Sequence, residues 1–271
     1  MNIYSQIATS LTVNDINDAV LHVSAKYDIS DVLIEFADAG EIIAVVEDNG
    51  YDIGYVDMSV EWTNTNANVK SWMQPIPPSQ IVAESLPISN LVPLFTNNYY
   101  YFVLRQNRIS GLVSYMNLDK IPFKLALFAT LMDFEAELIS GIRNGAKGTK
   151  HYLSTLSPAR ISKAHEVLKL RKEHGQTSNY KSGAEELLDC TCFADRATIW
   201  QKDPDLEKLL GFSSKRQFRQ FVVLSERVRN QIAHGNSIVK LFPEPTDLVE
   251  FIQTLTSKKS AIRIVQNQAV L

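Results

Sequence analysis

ISDVLIEF, residues 29–36, returns as ISNLVPLF at 88–95. A repeat of this kind sets the number and size of the units before any local structure is assigned. Working outward, AVVEDNGYDIGYVDMS (44–59) runs parallel to FVLRQNRISGLVSYM (102–116). In each copy a serine, Ser30 or Ser89, stands where a helix N-cap is expected, ahead of apolar residues at helical spacing. An apolar strand follows, EIIAVVE (41–47) or YYYFVLR (99–105), then a turn at Asp48-Asn49-Gly50 or Gln106-Asn107. The turn leads back into a second strand ending at Gly54 or Gly111, so each copy predicts a hairpin with a helix beside it. The copies span about 14–62 and 72–122. Neither is large enough for a comfortable core alone, which predicts that they pack on each other.

The whole chain has 271 residues, 45% of them apolar, and can bury a sizeable core in two domains. Two cysteines, Cys190 and Cys192, are too few for a disulfide framework or a four-ligand zinc site, and read as reduced core thiols. The N-terminus lacks a basic region leading into an apolar run. The most apolar stretch, FKLALFATLMDF (123–134), is too short and too charged to span a bilayer. The expectation is a soluble cytoplasmic protein with no membrane partner. The net charge of −3 conceals an asymmetry: residues 1–142 carry 6 basic and 17 acidic side chains and 143–271 carry 21 and 13, so the halves stand at −11 and +8. Residues 143–182 alone hold nine Lys/Arg against two Glu, with His151, His165 and His174. Such a run is either a solvated face or a surface that attracts phosphate backbones.

The order helix, strand, turn, strand, followed by GLVSYMNL (111–118), resembles a pair of CBS domains. The resemblance covers residues 1–122 and implies an adenine-type or cyclic nucleotide bound as a regulatory ligand. In that family a glycine, a Ser or Thr and an Asp form the phosphate and ribose motif, and the matching positions here are Gly111, Ser114 and Asn117. A strand-end glycine lets a phosphate approach the main chain, a hydroxyl donates to it, and an acceptor takes ribose hydroxyls. Asn117 departs from the aspartate. The first copy departs further, with Asp57 and Val60 after Gly54, and an aspartate in a phosphate cradle repels its ligand. One competent site, or a degenerate pair kept as scaffold, is what the motifs allow.

Beyond Pro122 the strand signal stops. Helical runs are read at 123–143, 157–174, 183–200, 203–212, 214–236 and 246–260, with Ser157-Pro158 and Asp203-Pro204 as cap-and-proline starts. Residues 123–271 therefore predict an all-α bundle of five or six helices. Within it RNQIAHGN (229–236) resembles the signature of the HEPN family, helical and often dimeric proteins of which many are metal-independent ribonucleases of toxin–antitoxin and antiphage systems. By that match Arg229, Asn230 and His234 take the catalytic places, with RNA as substrate, no metal or other catalytic cofactor, and a cognate antitoxin or defence partner. Arg227 and Glu135 stand as supporting residues. The chemistry suits these side chains: attack of an RNA 2′-hydroxyl on its phosphate needs a proton removed and one supplied, within reach of histidine near neutral pH. A guanidinium steadies the charge that gathers on the phosphorane.

At 100° per residue Phe218, Phe221, Val222, Ser225, Val228 and Ile232 form one helix stripe, with Arg227, Asn230 and His234 opposite. Arg229 falls about 140° from His234, so the pair does not converge in one straight helix. A homodimer sharing the site across a two-fold axis resolves this, and the exposed position of Val223 agrees with it. The predicted molecule is an α+β CBS-type pair (1–122) joined to an all-α HEPN-like bundle (123–271). Its predicted function is that of a nucleotide-regulated ribonuclease, or of a catalytically silent nucleotide-sensing adaptor.

Overall fold

A computed structural model describes residues 3–39, 42–57, 59, 67–176 and 183–268. The chain divides into two compact units: Thr9–Lys124, and the residues up to Ala8 together with those from Leu125 onward.

In the first unit the repeat appears as two copies of strand, helix and hairpin. The first copy holds β1 (Asp18–Ala19), β2 (Leu21–Ser24), α2 (Ile29–Ala39), β3 (Ile43–Asp48) and β4 (Tyr51–Asp57), after the N-terminal helix α1 (Ile3–Ser10). The second holds β5 (Ile81–Ala83), a single helical turn α3 (Ile88–Leu91), β6 (Tyr100–Arg105) and β7 (Arg108–Ser114). Pro93 turns the rest of the α2 counterpart into a 3-10 segment, Val92–Thr96. Both hairpins turn through left-handed residues, Asn49 and Gly50 in the first and Gln106 in the second. Both also shift register at the same relative place, Val46/Glu47 and Val103/Leu104.

The two copies exchange their lead-in segments. β1, from the first copy, pairs with β7 of the second, giving the sheet order β1-β7-β6-β5. Reciprocally, Gln74 ahead of β5 bridges to Tyr55 in β4, on the edge of the β2-β3-β4 sheet. The 3-10 turns before each lead-in follow the same rule. Val13 and Asn14 donate main-chain bonds to Leu86 and Glu84, and Val69 and Lys70 donate to Tyr27 and Ala25. This exchange corrects the expected caps. α2 and α3 begin one residue earlier, and Ser30 and Ser89 lie inside them. The first helical amides of Ile29 and Ile88 instead donate to Ala67 and Leu11, in the segments that lead into the other copy. Tyr55 and Phe102, with ring centroids 5.1 Å apart, meet between the sheets among Val45 and Ile109. Each such fully buried aromatic contributes about 2–3 kcal/mol.

The second unit is helical, with no strand among its described residues: α4 (Ile121–Asn144, beginning in the first unit), α5 (Thr149–Ser154), α6 (Pro158–Glu173), α7 (Gly183–Asp189), α8 (Phe193–Lys202), α9 (Pro204–Leu210), α10 (Lys215–Ala233) and α11 (Pro245–Gln268). The single helix expected over 183–200 is broken, because Cys192 stands at the N-cap of α8, its amide and thiol both donating to Asp195 Oδ2 at 3.2 Å. Cys192 is therefore exposed, against the expected core thiol, whereas Cys190 is buried. Trp200 is fully buried, its indole donating to Leu138 O at 3.0 Å. Its ring lies where a Cβ on Gly141 would stand, 2.3 Å from the nearest carbon, so the close approach of α4 and α8 requires glycine there. Asp133, fully buried on α4, accepts from Lys259 at 2.9 Å and Arg263 at 2.8 Å and so pins α11.

Candidate functional site

Gly111 sits in β7 opposite Ala19 on one side and Val103 on the other. A Cβ there would lie 2.4 Å from Asp18 O, and one at Gly54 would lie 2.5 Å from Gln74 O. The two glycines thus serve the exchanged lead-ins directly, since each lets a crossing main chain come close. Ser114 ends β7 and caps the 3-10 turn Tyr115–Asp119, with its amide and hydroxyl both donating to Asn117 Oδ1 at 2.7 Å. The buried Asn117 amide turns the other way, donating to Ile16 O at 2.9 Å and Asp18 Oδ2 at 2.5 Å. Lys120 completes the cluster, reaching Asp18 Oδ1 at 2.5 Å and Asn17 O at 2.8 Å. Burial pushes the Asp18 carboxyl up, but hydrogen bonds from Lys120 and Asn117 outweigh it and hold the group below the usual carboxylate range.

Gly111, Ser114 and Asn117 are therefore brought together, and Asp18 and Lys120 join them. The amide at 117 has a structural cause: it donates to Ile16 O and Asp18, which a carboxylate cannot do. Asp18 escaped the sequence reading; its structural counterpart is Gln74, whose main-chain oxygen stands beside Gly54 as that of Asp18 stands beside Gly111. At the place equivalent to Ser114, Asp57 accepts from the Ser59 amide at 2.8 Å and hydroxyl at 2.7 Å. Beside it Tyr55 donates to Gln74 Oε1 at 3.0 Å, and burial, with Tyr55 and Asp57 close by, pushes the Tyr100 hydroxyl up. Val60 lies outside the described residues.

The second constellation lies on α10. Ser214 caps its start, accepting from Gln217 N at 3.1 Å, and the buried residues Phe218, Phe221, Val222, Ser225 and Val228 follow the stripe read from the sequence. The helix ends in a Schellman turn: His234 is the C-cap, Gly235 is left-handed at φ 70°, and Asn236 N donates to Gln231 O at 2.8 Å. Arg227, Asn230 and His234 are exposed and Arg229 is half-buried. Among the described residues no hydrogen bond or ion pair joins the Arg229 and His234 side chains. Glu135 from α4 pairs with the buried Arg196 of α8, whose other nitrogens donate to Thr191 O at 2.6 Å and Thr191 Oγ1 at 3.2 Å. Burial lowers the Arg196 pKa against the pull of Glu135, and the Arg229 guanidinium lowers it further, so Arg229 lies within electrostatic reach of this pair. Arg196 carries no sequence signal that distinguishes it from a surface arginine.

Much of the basic run is matched by acids of the same unit: Arg143 by Asp189, Lys147 by Asp203 at 2.6 Å, Arg160 by Asp195 and Lys172 by Glu186 at 3.5 Å. Lys150, Lys163 and His165 remain exposed. No three His, Cys, Asp or Glu among the described residues are placed to hold a metal ion, and no described helix is long and apolar enough to cross a membrane.

The class defined by the geometry is a two-copy α/β unit followed by a helical one. Comparison with solved structures finds similarity over part of the chain. The CBS domain of a bacterial CNNM/CorC family Mg2+ transporter, in complex with ATP, is 13% identical with a TM-score of 0.35, covering 42% of this chain and 89% of that one. A CBS domain-containing protein of Bacillus anthracis is 12% identical at 0.36, covering 42% and 94%. A CBS domain pair/ACT domain protein of Thermotoga maritima is 18% identical at 0.33, covering 40% and 92%. No protein-family model and no curated protein sequence matches the chain.

Proposed function

We propose that this protein is a nucleotide-responsive regulator. In this reading a CBS-type pair in residues 1–122 binds an adenine or cyclic nucleotide and governs a HEPN-type helical domain in 123–271. One observation carries the reading. The chain passes between the compact units twice, near Ala8 and near Lys124. Ile16 and Asp18 lie within about ten residues after the first crossing, and Asn117 and Lys120 within about seven before the second. Asn117 hydrogen-bonds across to both residues of the earlier segment. A phosphate drawn to Ser114 and Lys120 competes with Asp18 for the same ammonium, and so acts on both connections at once.

The output proposed for the helical domain is metal-independent cleavage of RNA in a cytoplasmic homodimer. His234 exchanges protons with the 2′-hydroxyl and the leaving oxygen, and Arg229 of the other protomer steadies the phosphorane. Glu135, paired with Arg196, acts as a positioning group for Arg229 in this reading, and an antitoxin or defence partner would restrain the activity. The test is single-stranded RNA in EDTA, with and without ATP or a cyclic nucleotide, using wild type, His234→Ala and Arg229→Ala. Products ending in 2′,3′-cyclic phosphate that both substitutions abolish support the reading, and RNA left intact under every condition ends it.

A second reading, a silent nucleotide-sensing adaptor, is favoured by a specific observation: Arg229 lies near the end of α10 and His234 is its C-cap, and among the described residues no hydrogen bond joins their side chains. Calorimetry separates the two, since nucleotide binding lost in Lys120→Ala together with intact RNA leaves the adaptor standing.

A further inference from the structure

The helical unit contains a cavity of about 350 Å³ between α10, α11 and the segment after α9, and no residue of either constellation is among its lining. Four phenylalanines line it. Phe212 and Phe221 lie 5.5 Å apart between centroids, Phe221 and Phe251 5.7 Å, and Phe251 and Phe242 5.6 Å, each pair tilted by 33–41°. The volume falls within the range of small-ligand sites, which combine an apolar lining with a few convergent polar groups.

Here the charged groups of the lining are of one sign. Asp247 and Glu250, three residues apart on α11 and both exposed, line the cavity together with the four rings. Two carboxylates on one helix face repel each other, and a cation between them relieves that repulsion. The same ring cluster already holds a cation at its edge: the Lys258 ammonium lies 4.5 Å from the centre of Phe212 and is anchored to Gly211 O at 3.0 Å. Aromatic rings and carboxylates line the same cavity, a combination that complements a positive charge on an apolar body better than an anion.

We propose that this cavity binds a small organic cation, a protonated amine carried on a flat apolar group. The test uses the full chain and three probes of similar shape: phenethylammonium, 2-phenylethanol and phenylacetate, titrated by calorimetry and by ligand-observed NMR. Phenethylammonium should bind saturably in the millimolar range or better, the alcohol about tenfold more weakly or less, and phenylacetate not at all. The double variant Asp247→Asn/Glu250→Gln should lose about tenfold in affinity for the amine while its weak binding of the alcohol is unchanged. Both side chains are exposed, so its melting transition should match wild type; should it not, the two single variants are compared in its place. Failure of the amine to saturate, equal binding of amine and alcohol, or amine binding indifferent to these substitutions each overturns the assignment. None of these readouts depends on RNA cleavage or on nucleotide binding.

Discussion

Replacing Asn117 by aspartate would restore the residue usual in the CBS motif, and the structure says that the change is costly. The Asn117 amide nitrogen donates to Ile16 O and to Asp18 Oδ2. An aspartate keeps the acceptor for Ser114 but loses both donations, leaving the Ile16 carbonyl short of a partner at a cost of about 1–2 kcal/mol. It also sets a second carboxylate beside the first. Two unit charges about 3 Å apart repel by about 5 kcal/mol at an effective dielectric near 20. The Asp18 side chain is 60% exposed and paired with Lys120, so screening reduces this to about 1–2 kcal/mol. The total is a loss of about 2–4 kcal/mol, confined to Thr9–Lys124. Urea denaturation measures it, and hydrogen exchange of the β1 and β7 amides assigns it to that unit. The pH dependence has a definite sign. The like charge raises the folded pKa of the new carboxyl above its unfolded value, so the variant recovers part of its stability as pH falls towards the carboxylate range and loses it as pH rises. Asp18→Asn in the same chain should recover more than about 1 kcal/mol in a double-mutant cycle. An Asn117→Asp protein within about 0.5 kcal/mol of wild type would refute the reasoning, because the amide would then not be bracing the exchange.

Gly141→Ala forces a methyl into the Trp200 ring and should destabilise the helical unit by about 1–3 kcal/mol, read from its urea midpoint, with the Trp200 emission shifted in the folded state. Asp133→Ala leaves Lys259 and Arg263 without their shared carboxylate and should cost about 3–5 kcal/mol, whereas Glu173→Ala on the exposed end of α6 should cost less than about 0.5 kcal/mol. Asp18, Asp195 and Asp203 all have depressed folded pKa values; burial opposes the shift, and Lys120, Arg160 and Lys147 overcome it. The stability they contribute is present above the ordinary carboxylate pKa of about 4 and should be lost as pH falls below it, with a loss that Asp203→Asn reduces.

How much of this was legible in the chain differs between elements for physical reasons. The hairpins were readable because strand alternation and the Asp48-Asn49-Gly50 turn are local signals. The buried stripe of α10 was readable because helical periodicity places Phe218, Val222 and Ser225 on one face whatever they pack against. The helix starts at Ile29 and Ile88 were not. Their amides are satisfied by main-chain carbonyls more than thirty residues away, and a backbone acceptor leaves no trace in side-chain type. The break at Cys192 was missed for a related reason, since cysteine is seldom a capping residue and only the Asp195 interaction makes it one here. Asn117 was noticed as a departure, but its cause, the carboxylate of Asp18, lies 99 residues away in sequence. The basic run from Arg143 looked uniform because its counter-charges, Asp189, Asp195 and Asp203, belong to later helices.

The reciprocal exchange also bears on how the α/β unit responds to change. In a unit where each copy paired only with itself, disturbing one lead-in would leave the other copy intact. Here the first lead-in completes the second sheet and the second lead-in meets the edge of the first. The same segments supply the main-chain bonds that begin α2 and α3. Displacing Asp18–Ala19 from β7 therefore removes an edge of one sheet and loosens the turn at Val13 that holds Leu86 and Glu84. Any local event at Ser114, Asn117 or Lys120 spreads through main-chain bonds that have few alternative partners, and this makes the two copies open as one cooperative element. Amides of β2–β4 should thus exchange in step with those of β5–β7 as urea is raised. A β2–β4 sheet that kept its protection after β7 had lost its own would show that the exchange does not couple the copies.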